Sequence, residues 1–64
     1  MKTILENNRK KVDVRVLENG TFEVYFISII RYEEIGRVQE DCDDVRYYKS
    51  EKALMKRAIK YMNN

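Results

Sequence analysis

Four groups of residues carry side chains that could do chemistry. The first is the acidic run Glu40-Asp41-Cys42-Asp43-Asp44. Hard cations are held by clustered carboxylates, so this run is the natural place to look for one. Its spacing lacks the turn glycine and the closing Glu of a calcium loop, and it reads more simply as a solvated acidic loop. The second group is basic: Arg46, Lys49, Lys52, Lys56, Arg57 and Lys60. Cations at this density can contact phosphates, or they can be the water-facing side of a helix. The third group is five tyrosines in a chain without tryptophan. Tyr25 falls near Arg15, Ile27 and Ile29, and an aromatic with an Arg and aliphatic neighbours is the composition of a protein interface. The fourth is Cys42, the only thiol. Its acidic neighbours repel a thiolate, the reactive form, so it reads as inert.

What is missing narrows the field further. The 64 residues contain no histidine. That removes imidazole-based triads, the Cys–His pair and most zinc sites, and the expectation is no catalytic residue, no cofactor and no metal. A single cysteine forms no internal disulfide, which suits a reducing cytoplasmic compartment. No apolar run reaches the length of a membrane span, and the first residues, Met1 to Glu6, lack the apolar core of a signal peptide. Membrane partners are therefore not expected. Net charge is +2 and the pI about 8.8. The charges are nonetheless sorted along the chain: residues 33–44 carry six acids and one base, and residues 45–64 six bases and one acid.

The elements that must position these groups follow from periodicity. Val12, Val14 and Val16 alternate with Lys11, Asp13 and Arg15, and Phe22, Val24 and Phe26 alternate with Glu23, Tyr25 and Ile27. Both segments read as half-buried strands, joined as a β-hairpin over 11–30. The Asn19-Gly20 pair suggests a two-residue loop, but that register sets Val24 beside Arg15 and Phe26 beside Asp13. A three-residue loop, Glu18-Asn19-Gly20, sets Val16 against Phe22, Val14 against Val24, Val12 against Phe26 and Arg15 against Glu23. A one-residue slip exchanges a strand's faces, so the apolar pattern selects the second register, with Gly20 left-handed at a bulge. Ile27, Ile29 and Ile30 then make the far end of the strand apolar on both sides, which calls for cover from the chain itself or from a second chain.

Residues 1–5 read as a short strand or a frayed tail, and 35–40 as a third strand after a turn near Glu33-Glu34. The acidic loop comes next, and Val45–Tyr48 reads as a short fourth strand or the approach to a helix. Ser50 and Glu51 signal the start of a helix over about 51–62, with Leu54, Ala58, Tyr61 and Met62 on one stripe.

The chain is thus expected to be one small α+β domain over 1–64. An antiparallel sheet of three strands, or four, packs on a single C-terminal helix. Its core is Val12, Val14, Val16, Phe22, Val24, Phe26, Leu54, Ala58, Ile59 and Met62. A domain this short buries only about 60% of its unfolded surface, so a partner or self-association would add welcome stability. The functional expectation is a non-enzymatic protein-interaction module, of the adaptor or inhibitor type that phage and mobile elements encode. Its partner is another protein or a second copy of itself as a homodimer, met through Arg15, Tyr25, Ile27 and Ile29. The alternative is a nucleic-acid-binding accessory domain, using Arg15, Tyr25 and Arg31 on the sheet or the basic residues of the helix.

Overall fold

The computed structural model describes residues 1–64 as a four-stranded antiparallel sheet with one helix across it. The strands are β1 (Lys2–Glu6), β2 (Lys10–Val16), β3 (Phe22–Tyr32) and β4 (Arg37–Tyr48), and the helix is α1 (Glu51–Met62). Each strand pairs with the next in sequence, in the order β1-β2-β3-β4.

Local chemistry sets each turn. The Asn7 side chain accepts hydrogen bonds from the amides of Arg9 and Lys10, at 2.8 and 2.9 Å, closing the β1–β2 connection as an Asx turn. Between β2 and β3 the three-residue loop forms as the apolar pattern requires. Leu17 N–H bonds Thr21 O at 2.8 Å, Gly20 is left-handed at φ 83°, and the facing pairs are Val16–Phe22, Val14–Val24 and Val12–Phe26. A 3-10 turn, Glu33–Ile35, joins β3 to β4 and ends on Gly36 at φ 63°. Ser50 caps α1 by accepting from Ala53 N–H at 3.3 Å.

The region 35–48 differs from expectation. The segment that reads as a third strand, an acidic loop and a separate fourth strand is one strand, β4, twelve residues long. Its sequence hides this because most of its residues are exposed, so no apolar alternation marks it. What holds it is the ladder to β3, which runs from Phe22–Tyr48 to Tyr32–Arg37. A bulge interrupts that ladder: Phe26 faces Asp44 while Ile27 faces Cys42, leaving Asp43 as the extra residue.

One face of the sheet meets α1. Val12, Val14, Val24 and Phe26 from the strands close on Leu54 and Ala58 from the helix, with Ile4, Leu5, Phe22, Tyr48, Met55, Tyr61 and Met62 packed at the margin. Burying a side chain such as Phe26 or Leu54 contributes about 1.5–3 kcal/mol. Two expected core members lie outside. Val16 is 62% exposed because β2 runs past the end of β1, whose pairing stops at Lys2–Val14. Ile59 is 50% exposed because it sits one residue past Ala58, about 100° further round the helix.

The far end of α1 is fastened to the sheet. Lys10 Nζ donates to the backbone oxygens of Tyr61, at 3.0 Å, and Asn64, adding a cation to the carbonyl end of the helix. The same ammonium lies 4.6 Å from the centre of the Tyr61 ring, which meets Phe26 edge-on at 5.1 Å.

β2 is seven residues long, β3 eleven and β4 twelve. The β2 ladder ends at Lys10–Ser28, so beyond it β3 and β4 continue as a two-stranded ribbon capped by the 3-10 turn. The ribbon makes the molecule elongated, 43 × 24 × 15 Å.

Candidate protein-interaction surfaces

The residues expected at an interface, Arg15, Tyr25, Ile27 and Ile29, share the sheet face that carries no helix. They do not make an apolar patch there. The register Arg15–Glu23–Tyr47 sets a carboxylate between a guanidinium and a phenol. Arg15 Nη2 lies 2.6 Å from Glu23 Oε1, the Tyr25 hydroxyl donates to the same oxygen, and the Tyr47 hydroxyl donates to Oε2 at 3.1 Å. Glu23 is buried beneath these groups. The Tyr25 hydrogen bond, with those of Tyr47 and Arg15, holds its carboxyl below the usual range. The same bonds raise the phenols of Tyr25 and Tyr47, since each donor loses its acceptor on ionising.

Ile27 and Ile29 are only 9% and 7% exposed. Their cover comes from within the chain. Lys11 on β2 reaches Glu40 on β4 at 2.9 Å, and that ion pair arches over β3. The lysine stem shields aliphatic surface while its charge stays paired. The bond to Glu40 raises the Lys11 ammonium above its ordinary value. Nearby, Asp13 accepts from Thr3 Oγ1 at 2.6 Å. The helix-free face is thus a polar layer over a few apolar side chains, and Arg15 and Tyr25 belong to its internal bonding.

The acidic run is also dispersed. Glu40 and Cys42 lie on the helix-free face, whereas Asp41 and, because of the bulge, both Asp43 and Asp44 lie on the helix side, each with its own partner. Asp43, freed by the bulge, accepts from Ser28 and from the Tyr61 hydroxyl at 2.7 Å. These bonds, Ser28 first, draw its carboxyl below the usual range. Asp44 binds Arg46 at 2.7 Å. No three acidic or thiol groups converge as a metal site would require. Cys42 is exposed, with its Sγ 3.4 Å from the Asp44 carbonyl.

The basic residues separate into two kinds. Arg46 is paired with Asp44, and Arg57 lies over the Phe26 ring at 5.2 Å. Lys49, Lys52, Lys56 and Lys60 are exposed and form no ion pair. On α1 the last three follow one another at four-residue spacing, so they share its outer side.

Exposed apolar side chains also lie on the ribbon. Ile30 is 37% exposed, Tyr32 43%, Ile35 69% and Val38 54%. Arg31 and Arg37 flank them, and Arg31 Nε reaches back to the Asn8 carbonyl at 3.2 Å. Periodicity could not single these residues out, because their exposure follows from strand lengths: β3 and β4 outrun both β2 and the helix. The one sequence signal is that apolar character continues through Ile29-Ile30 to Tyr32, beyond the stretch that β2 can pair. An opening of about 230 Å³ lies between the start of α1 and the sheet, lined by Ile4, Val14, Val16, Phe22, Leu54 and Met55 together with Lys2 and Glu51.

No helix is long and apolar enough to cross a membrane. No family model, curated protein or solved structure matches the chain.

Proposed function

We propose that the chain is a non-enzymatic protein-interaction module that associates with itself or with a partner protein through the projecting ribbon. The observation that supports this reading is the exposure of Ile30, Tyr32, Ile35 and Val38 on a hairpin with no element packed behind it. Ile30 and Tyr32 share the helix side of the ribbon, Ile35 lies in the turn at its tip and Val38 faces the other way beside Arg31, so a partner that covers the protrusion removes exposed apolar surface from water. This reading moves the contact from Ile27 and Ile29, which the chain already covers, to the ribbon. Arg15 and Tyr25 remain at most its rim.

The test is sedimentation across a wide concentration range, with a pull-down from host lysate before and after nuclease. Replacing Tyr32 and Ile35 with Ser should weaken self-association, or the capture of a nuclease-resistant protein, at least tenfold. Unchanged mass and unchanged capture would overturn the reading.

One observation favours a nucleic-acid reading as second choice: the exposed lysines of α1 and Lys49 have no acidic partners. Binding of that kind would weaken with salt, with a log–log slope of about −0.9 for each phosphate neutralised. It would be lost when Lys52, Lys56 and Lys60 are replaced with Glu, while the ribbon variant would leave it intact.

A further inference from the structure

We infer that a second copy of this chain pairs antiparallel with the outer edge of the ribbon, through β4 residues 37–41 with Gln39 facing Gln39 across a two-fold axis. The inference rests on the self-association reading and specifies where and in what register it occurs.

β4 is an edge strand, and its outward row of N–H and C=O groups has no partner in the sheet. The Asp43 bulge divides that edge, so a straight partner strand can follow either 37–42 or 44–48 but not both. Symmetry then restricts the register. Facing residues in an antiparallel pair point to the same side of the sheet. Two copies related by a two-fold axis through the sheet therefore pair only where some residue faces its own counterpart.

In the ribbon half the choices are few. An axis at Glu40 or Asp41 sets carboxylate against carboxylate, which destabilises a cross-strand pair. An axis at Val38 sets Arg37 against Gln39 and makes no charge pair. An axis at Gln39 sets Arg37 of each copy against Asp41 of the other, giving two opposite-charge pairs. It also sets Val38, more than half exposed in the single chain, beside Glu40 of the second copy, whose carboxylate is held by its own Lys11 at 2.9 Å. Arg37 forms no ion pair within the chain, and Asp41 receives only the Gln39 amide at 3.1 Å. Both charges are available.

The other half is less suited. Its complementary register, centred on Val45, would use Asp44 and Arg46, which already bind each other at 2.7 Å. An axis at Arg46 sets guanidinium against guanidinium. Pairing at Gln39 instead joins two four-stranded sheets into one of eight strands, with both helices on the same face.

The test is charge exchange read by sedimentation. The native chain should dimerise, and R37E and D41R should each raise the dimer dissociation constant at least tenfold. An equimolar mixture of R37E and D41R should restore dimers, because every facing pair is again opposite in charge. The double variant R37E/D41R should dimerise alone for the same reason. Circular dichroism checks that each variant stays folded. Independently, Gln39→Cys in a Cys42→Ser background should form a covalent dimer on mild oxidation, and Val45→Cys in that background should not.

A native chain that stays monomeric overturns the pairing, and the lysate pull-down then decides whether a different protein occupies the ribbon. Dimers indifferent to R37E and D41R overturn this register and leave self-association through another surface. Mixed variants that remain monomeric also overturn it.

Discussion

β3 and β4 run through two settings. Between Phe22 and Ser28, β3 has a strand on each side and α1 above, and Val24 and Phe26 lose nearly all contact with water. Past Ile29, whose N–H still bonds the Arg9 carbonyl at 2.7 Å, its backbone keeps only β4, and Ile30 and Tyr32, on the same side of the strand as Phe26, are partly exposed. The side chains differ little in apolar character. Burial therefore depends on what lies beside a residue more than on what the residue is. An isolated two-stranded ribbon is marginally stable, so the projection borrows its order from the block it leaves.

Substitutions can widen or collapse that contrast. Phe26→Ala should have the largest effect, costing about 3–5 kcal/mol in a denaturant titration, because Leu54, Ala58 and Tyr61 cannot close the space. Ile35→Ala, on the same scale, should lie within about 0.5 kcal/mol of the parent. A comparable loss at Ile35 would mean that the ribbon belongs to the cooperative core.

The two left-handed glycines offer a second comparison. A Cβ meets no neighbouring atom at either site, so an Ala there reports backbone strain alone. Gly20→Ala should cost about 1–2 kcal/mol of global stability. Gly36→Ala introduces similar strain, but its effect should appear mainly as faster amide exchange in residues 30–39, since opening the ribbon relieves it. Hydrogen exchange followed by NMR separates the two cases.

A smaller effect concerns pH. Glu23 has a folded-state pKa below its unfolded value, so its contribution is present above the unfolded carboxylate pKa. It is lost as pH falls through the folded value. Tyr25 and Tyr47 have raised values, so their contribution is present below the phenol's unfolded pKa and lost as pH rises through the folded one. Glu23→Gln should flatten both limbs of a plot of Tm against pH. The ribbon lacks such a network, and substitutions at Tyr32 should leave that profile unchanged.

How much of this was legible in the sequence depends on where alternation survived. The β2–β3 hairpin was readable down to its loop length, because a wrong register would have set Arg15 and Asp13 beside Val24 and Phe26. The helix was readable from Ser50 and the Leu54–Ala58–Met62 stripe. β4 was not, because an edge strand exposed for most of its length has no face to mark. The surface candidates suffered for a related reason: Ile27 and Ile29 look surplus in one dimension, and only the Lys11–Glu40 pair from the two flanking strands reveals their cover.

The order β1-β2-β3-β4 also bears on how the molecule comes to be folded. Every strand pairs with its neighbour in sequence, so each hairpin closes over a short loop and pairing can proceed without waiting for distant chain. The helix is the exception. Until Leu54 and Ala58 arrive, Val12, Val24 and Phe26 lie bare on one side of a growing sheet, a transient state prone to aggregation.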